Sequence, residues 1–133
     1  ATLFMKGVIW IVQIVHYPLF AGVGADRFAD YERAHQRRIT RVVAPAMFAE
    51  LGLAIALVFL LDGPALRLAW AGLALLAVNW VSTFAVQVPA HTSLAGGFDE
   101  CAHKRLLATN WVRTAAWSAR GVIALVMIPA FAT

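Results

Sequence analysis

Charge is scarce in this chain. Only 14% of its residues are charged, where a soluble domain carries about a quarter, and 62% are hydrophobic. That balance excludes water as the main solvent. A second cysteine is also missing, so Cys101 has nothing to pair with, no internal disulfide supports the fold, and the residue is read as a small hydrophobe. The sequence lacks a serine nucleophile elbow, a P-loop, a dinucleotide fingerprint, a His-Glu-x-x-His run and paired Cys-x-x-Cys motifs. Phosphate transfer and the soluble catalytic templates are thereby set aside, no metal site is assigned, and no cofactor is identified.

What remains is apolar and periodic. Four runs are predicted as transmembrane helices, at about residues 3–20, 39–61, 66–88 and 106–131, each near the ~20 residues that span a bilayer. In 133 residues they leave little for a soluble domain. The segment after Lys6 imitates a signal peptide, but Gln13 and His16 interrupt the apolar stretch. Between the first and second runs, Phe28, Tyr31 and His35 recur at helical spacing among charges, predicting a short amphipathic helix over 25–38 at the interface. Asp62, Gly63 and Pro64 turn the chain into a tight hairpin, and a Gly-rich connection after Pro89 leads to the last run. The expected fold is an all-α integral membrane four-helix bundle in a single domain.

A net charge of +4 would suggest nucleic acid in a soluble protein, but here the basic residues collect beside the apolar runs. Arg27, Arg33, Arg37, Arg38, Arg41, Lys104 and Arg105 flank the first and third connections; Arg67 and Lys6 flank the other side. The positive-inside rule then predicts a multi-pass protein of the cell inner membrane with both termini outside the cytoplasm and membrane lipids as partners, not nucleic acid.

Against this background three ionisable groups stand out, because each costs roughly 2.5 to 3.5 kcal/mol at the centre of a span. Glu50, Arg113 and Arg120 have no neutralising neighbour in sequence. Counted from the basic ends of their spans at about 1.5 Å per residue, Glu50 and Arg113 reach similar depths, which predicts a buried pair. Arg120 then needs another partner, such as Asn79 or a backbone carbonyl. Gln13 with His16, Asn79 with Thr83 and Gln87, and Asn110 with Arg113 form one polar stripe per helix. Turned inward, the stripes predict a polar cavity walled by Trp10, Trp80, Trp111 and Trp117, although such residues also glue helices together by hydrogen bonds. All four histidines, His16, His35, His91 and His103, map to the basic end. Among them His35 and His103 fall among loop charges and are expected to be solvated, and His16 or His91 is the position from which a macrocycle would be held.

Val88 and Pro89, the short loop with Leu94, and the run Asn110, Trp111, Val112, Arg113, Thr114 resemble the anthrone-oxygenase-like family of small four-helix bacterial membrane proteins. Members share a Val-Pro pair closing the third helix and a Trp-Asn-x-x-Arg-Thr run in the fourth. Here Thr109 stands where that Trp is expected, and His91 replaces a common Asn. The resemblance implies the architecture and a place for Asn110 and Arg113 in whatever site exists. Fungal members are associated with cofactor-free oxidation of aromatic anthrones.

Together these features predict a pocket for a small amphipathic or aromatic molecule such as a quinone. Gln13, Asn79, Gln87, His91, Asn110 and Trp111 would contact the ligand. If the protein is an oxidoreductase, Arg113 would stabilise an oxyanion and Glu50 or His16 would move the proton. The competing expectation is a structural or accessory subunit that packs against partner subunits of a larger membrane complex. The orientation is checked by replacing Cys101 and labelling single cysteines in intact cells. A cysteine at Ser93 is expected to resist an impermeant reagent added outside, and selective labelling there would invert the topology.

Overall fold

The computed structural model describes residues 1–128, and every regular element among them is helical. Helix α1 (Thr2–Ile11) continues through a π turn (Val12–His16) and a 3-10 turn (Pro18–Gly22). Helix α2 (Ala25–Leu60) follows, then α3 (Gly63–Ser82), which passes through a second π turn (Thr83–Gln87) into α4 (Val88–Leu94); α5 (Glu100–Met127) completes the fold. The elements therefore make four rods. The first three, Thr2–Gly22, Ala25–Leu60 and Gly63–Leu94, are long and apolar enough to cross a membrane. The fourth, α5, is about 42 Å long at 1.5 Å per residue. It carries Asn110, Arg113, Thr114 and Arg120 among its buried side chains, which makes it the more polar rod. Residues 129–131, where the fourth span was expected to end, lie outside the described residues.

Two of the expected boundaries change. The amphipathic segment 25–38 is not a separate interfacial helix but the first part of α2. Nothing between Gln36 and Arg41 breaks a helix, so its backbone bonds continue into the apolar half. The third rod likewise does not stop at Val88. It continues through Pro89 to Leu94, and the third connection shrinks to residues 95–99.

A proline follows each of the π turns. Pro18 and Pro89 each follow a wide turn, in which Tyr17 N–H donates to the Val12 carbonyl at 2.9 Å and Val88 N–H donates to that of Thr83. A proline cannot donate to the carbonyl four residues back, and its ring crowds that carbonyl; widening the preceding turn relieves both problems without ending the rod. The α2–α3 corner is tight because Gly63 takes φ 58°, a left-handed conformation that glycine adopts without penalty.

Aromatic packing at the basic end sets the register of α2 against α5. Phe28 meets Phe98 edge to face at 5.1 Å, and Phe20, Phe28, Leu94 and Leu106 are fully buried together. Both rods leave this cluster in the same direction and rise equally per residue. Glu50 lies as far beyond Phe28 as Arg120 lies beyond Phe98, and those two residues meet.

The expected pairing of Glu50 with Arg113 is therefore corrected. Arg120 Nε donates to Glu50 Oε1 at 2.7 Å, with both side chains buried. Thr2 Oγ1 donates to the same oxygen at 2.7 Å, and Trp117 Nε1 donates to Oε2 at 3.0 Å. The Arg120 Nη1 group donates to the Gly72 carbonyl, a backbone partner of the kind expected for it, where a Cβ on Gly72 would crowd the guanidinium at 3.1 Å. Depth counted from the edges of the apolar runs misled because α2 and α5 begin well before those edges. Removing one charge of the pair by Glu50→Gln or Arg120→Met is expected to cost roughly 3 to 5 kcal/mol, because each change leaves the other charge buried alone. The double variant should lose much less than the sum, as measured by unfolding in detergent, and strictly additive losses would refute the coupling.

Candidate functional site

At the basic end four histidines, one from each rod, surround one phenylalanine. The rings of His16, His35, His91 and His103 lie 5.3, 5.3, 6.4 and 6.2 Å from that of Phe20. His35 and His103, expected to be solvated, are both buried. The reason is the boundary correction above, because helix rather than loop carries them and one face of each helix packs inward. His103 Nε2 donates to the Tyr17 carbonyl at 2.7 Å and so holds the end of the first π turn.

Tyr17, His91 and Glu32 form a hydrogen-bonded line. Glu32 is fully buried, and its Oε1 accepts from His91 Nδ1 at 2.6 Å and from Gln36 Nε2 at 3.1 Å. Gln36 Nε2 also donates to the His91 carbonyl at 2.9 Å. A carboxylate only accepts, so it selects the His91 tautomer with hydrogen on Nδ1 and leaves Nε2 as an acceptor. Tyr17 then donates its hydroxyl proton to His91 Nε2 at 2.8 Å. This has the hydroxyl–imidazole–carboxylate order of a catalytic triad, assembled from the residue after the first π turn, from α4 and from α2. His16 and His35 form a second contact beside it, His16 Nε2 to His35 Nδ1 at 2.8 Å.

These atoms bear on the metal and macrocycle questions. Both His91 nitrogens are engaged, His16 Nε2 is engaged by His35, and among the described residues no group of three His, Cys, Asp or Glu side chains could hold a metal ion. Glu32 Oε2 and His35 Nε2 are buried without partners.

Beside the line is a partly open cavity of about 250 Å³. Its polar walls are Tyr17, Gln36, Thr40, Thr83, Gln87, His91 and Arg113, and its apolar walls include Met5, Val8, Ile9, Val12 and Ile39. Gln87 Nε2 donates to Thr109 Oγ1 at 3.0 Å, whereas Gln87 Oε1 has no partner. Arg113 is buried; its Nη1 donates to Asn110 Oδ1 at 3.2 Å, its guanidinium sits 5.1 Å from the centre of the Trp117 ring, and its Nε has no partner. Among the described residues no carboxylate lies within ion-pair distance of Arg113. The same register that gives Glu50 to Arg120 leaves Arg113 level with Val43, an apolar residue of the cavity wall.

The expected site residues thus separate. Arg113, Gln87 and His91 line the cavity. Asn110 is buried behind it, donating to Gln13 Oε1 at 2.8 Å while accepting from Arg113, and Gln13 also donates to the Leu107 carbonyl at 3.3 Å. Asn79 is buried on α3, its side-chain amide unpaired, away from the lining. Glu50 belongs to the Arg120 network, and His16 lines a different, open groove of about 520 Å³ between α1 and α2. His16, Glu50, Asn110 and Arg113 therefore do not line one cavity. Nor do tryptophans wall it: Trp111 is 47% exposed, edge to face with Trp10, and Trp117 is bonded to Glu50.

Comparison of the chain with protein-family models, characterised proteins and solved structures finds no match. The residues of the site therefore have to be read on their chemistry. Four of them, Tyr17, Glu32, Gln36 and Thr40, escaped the sequence reading. Glu32 had a visible signal, since Glu32 and His35 form a Glu-x-x-His run that projects both side chains from one helix face. Tyr17 had none, because only the π turn aims it inward.

Proposed function

We propose that the protein is an integral membrane protein whose four rods cross the inner membrane, with the basic end on the cytoplasmic side. The cavity beside Arg113 binds a small amphipathic or aromatic molecule of the quinone type. The belt of exposed Ile11, Leu19, Phe48, Leu53, Phe59, Leu60, Val81 and Val126 supports membrane insertion, since such a surface is costly in water.

The observation that carries the ligand reading is the Arg113 guanidinium, a buried cation on the wall of a cavity with no counter-charge. An uncompensated charge in low dielectric is strongly unfavourable, and a ligand oxygen bearing negative charge would satisfy it. Volume fits this class: an engineered apolar cavity of about 150 Å³ holds benzene, so about 250 Å³ accommodates one or two fused rings. The wall is apolar on the α1 side and polar near Tyr17, His91 and Arg113, which matches a flat ring with oxygen at one edge.

The accessory-subunit reading draws on the outward aromatic stack of Phe48, Trp80 and Phe84, with neighbouring rings 5.2 and 5.6 Å apart, a surface for lipid or for a partner subunit. The two readings separate on purification in lipid nanodiscs followed by titration with 2-methyl-1,4-naphthoquinone. Saturable binding is expected, weakened at least ~10-fold by Arg113→Met, about 1.4 kcal/mol. Equal binding by both proteins would sink the Arg113 assignment. Obligate co-purification with other subunits, with no quinone bound, would put the accessory role first.

A further inference from the structure

The Tyr17–His91–Glu32 line has more order than helix packing needs. A hydrogen bond between two helices requires one donor and one acceptor, whereas here a buried carboxylate fixes an imidazole tautomer, and that imidazole accepts the hydroxyl proton of a residue on the cavity wall. Gln36 bonds both Glu32 and the His91 carbonyl, which ties the carboxylate end of the line to the backbone that carries the imidazole. Such an arrangement accepts a proton at one end and stabilises the resulting imidazolium at the other.

Building on the ligand-binding reading of the cavity, we infer that the line is a proton relay and that the ligand it serves carries an acidic hydroxyl, a phenol, enol or hydroquinone. The ligand O–H bond breaks and its proton goes to the Tyr17 hydroxyl oxygen, while the Tyr17 proton crosses the 2.8 Å bond to His91 Nε2. The ligand is left as an oxyanion beside the Arg113 guanidinium, and the His91 imidazolium is left against the Glu32 carboxylate. Each new charge has an opposite charge next to it, no electron is transferred, and no further reactant is required. Tyr17 would touch the ligand, His91 is the base, and Glu32 is a positioning residue acting through His91. Around the relay the other titratable or charged groups are His16 from the first rod, His35 from α2, and His103 and Arg113 from α5; α3 and α4 contribute none besides His91.

The test uses the full chain in lipid nanodiscs and two probes of one ring each. 4-Nitrophenol changes its visible absorbance on ionising, and nitrobenzene has the same ring without the hydroxyl. The wild-type protein is expected to bind both and to lower the ionisation midpoint of bound 4-nitrophenol by at least one pH unit, a tenfold change in the ratio of anion to neutral form. In Glu32→Gln and Tyr17→Phe most of that shift should disappear. Wild-type protein that binds both probes but leaves the midpoint at its free value overturns the relay and spares the cavity reading. A midpoint lowered equally in all three proteins also overturns it, since Arg113 alone then suffices. Binding of neither probe by the wild type overturns both readings. The wild-type titration decides between these outcomes even if a variant fails to fold.

Discussion

One buried carboxylate ties the four rods of this protein together. Glu50 accepts hydrogen bonds from Thr2 on α1 and from Trp117 and Arg120 on α5, and Arg120 reaches on to the Gly72 carbonyl of α3. All four rods therefore meet around a single charge. A buried ion pair is weak evidence for stability, because desolvation consumes most of the attraction, but sliding one rod by a turn would strand both charges. The pair thus acts as a register lock.

The lock has a consequence at the other end of the bundle. With Arg120 committed to Glu50, Arg113 is left without a carboxylate two helical turns nearer the basic end, where the rods leave a partly open cavity instead of packing closed. The two π turns contribute to its walls. Each precedes a proline, widens its rod locally, and turns polar side chains inward: Tyr17 follows the first, and Thr83 and Gln87 bound the second. Backbone accommodation of proline and the supply of polar walls are therefore the same structural event, in line with the frequent occurrence of π bulges at functional sites.

How much of this was legible beforehand follows from the physics each feature rests on. The helical rods, the hairpin at Asp62 to Pro64 and the inward polar stripes could be read because apolar runs and periodicity are local signals. Arg113, Gln87 and His91 were singled out on the same basis, as polar groups whose exposure to lipid is costly. The partner of Glu50 was not legible, since it depends on the relative height of two rods fixed by Phe28 against Phe98, a contact between residues far apart in sequence. Tyr17 was hidden for a different reason: a helix of ordinary pitch aims position 17 elsewhere, and the π turn cannot be read from Pro18 alone. Trp111 shows the opposite error, since the residue beside buried Asn110 on the chain is turned about 100° round α5 and is exposed.

A side-chain-resolution map of the protein in lipid nanodiscs, prepared without added ligand, tests the account most directly. It is expected to show Glu50 against Arg120 and non-protein density between Tyr17, Gln87 and Arg113. A map with Arg113 paired to Glu50, or with the space beside His91 filled by protein side chains, would contradict it.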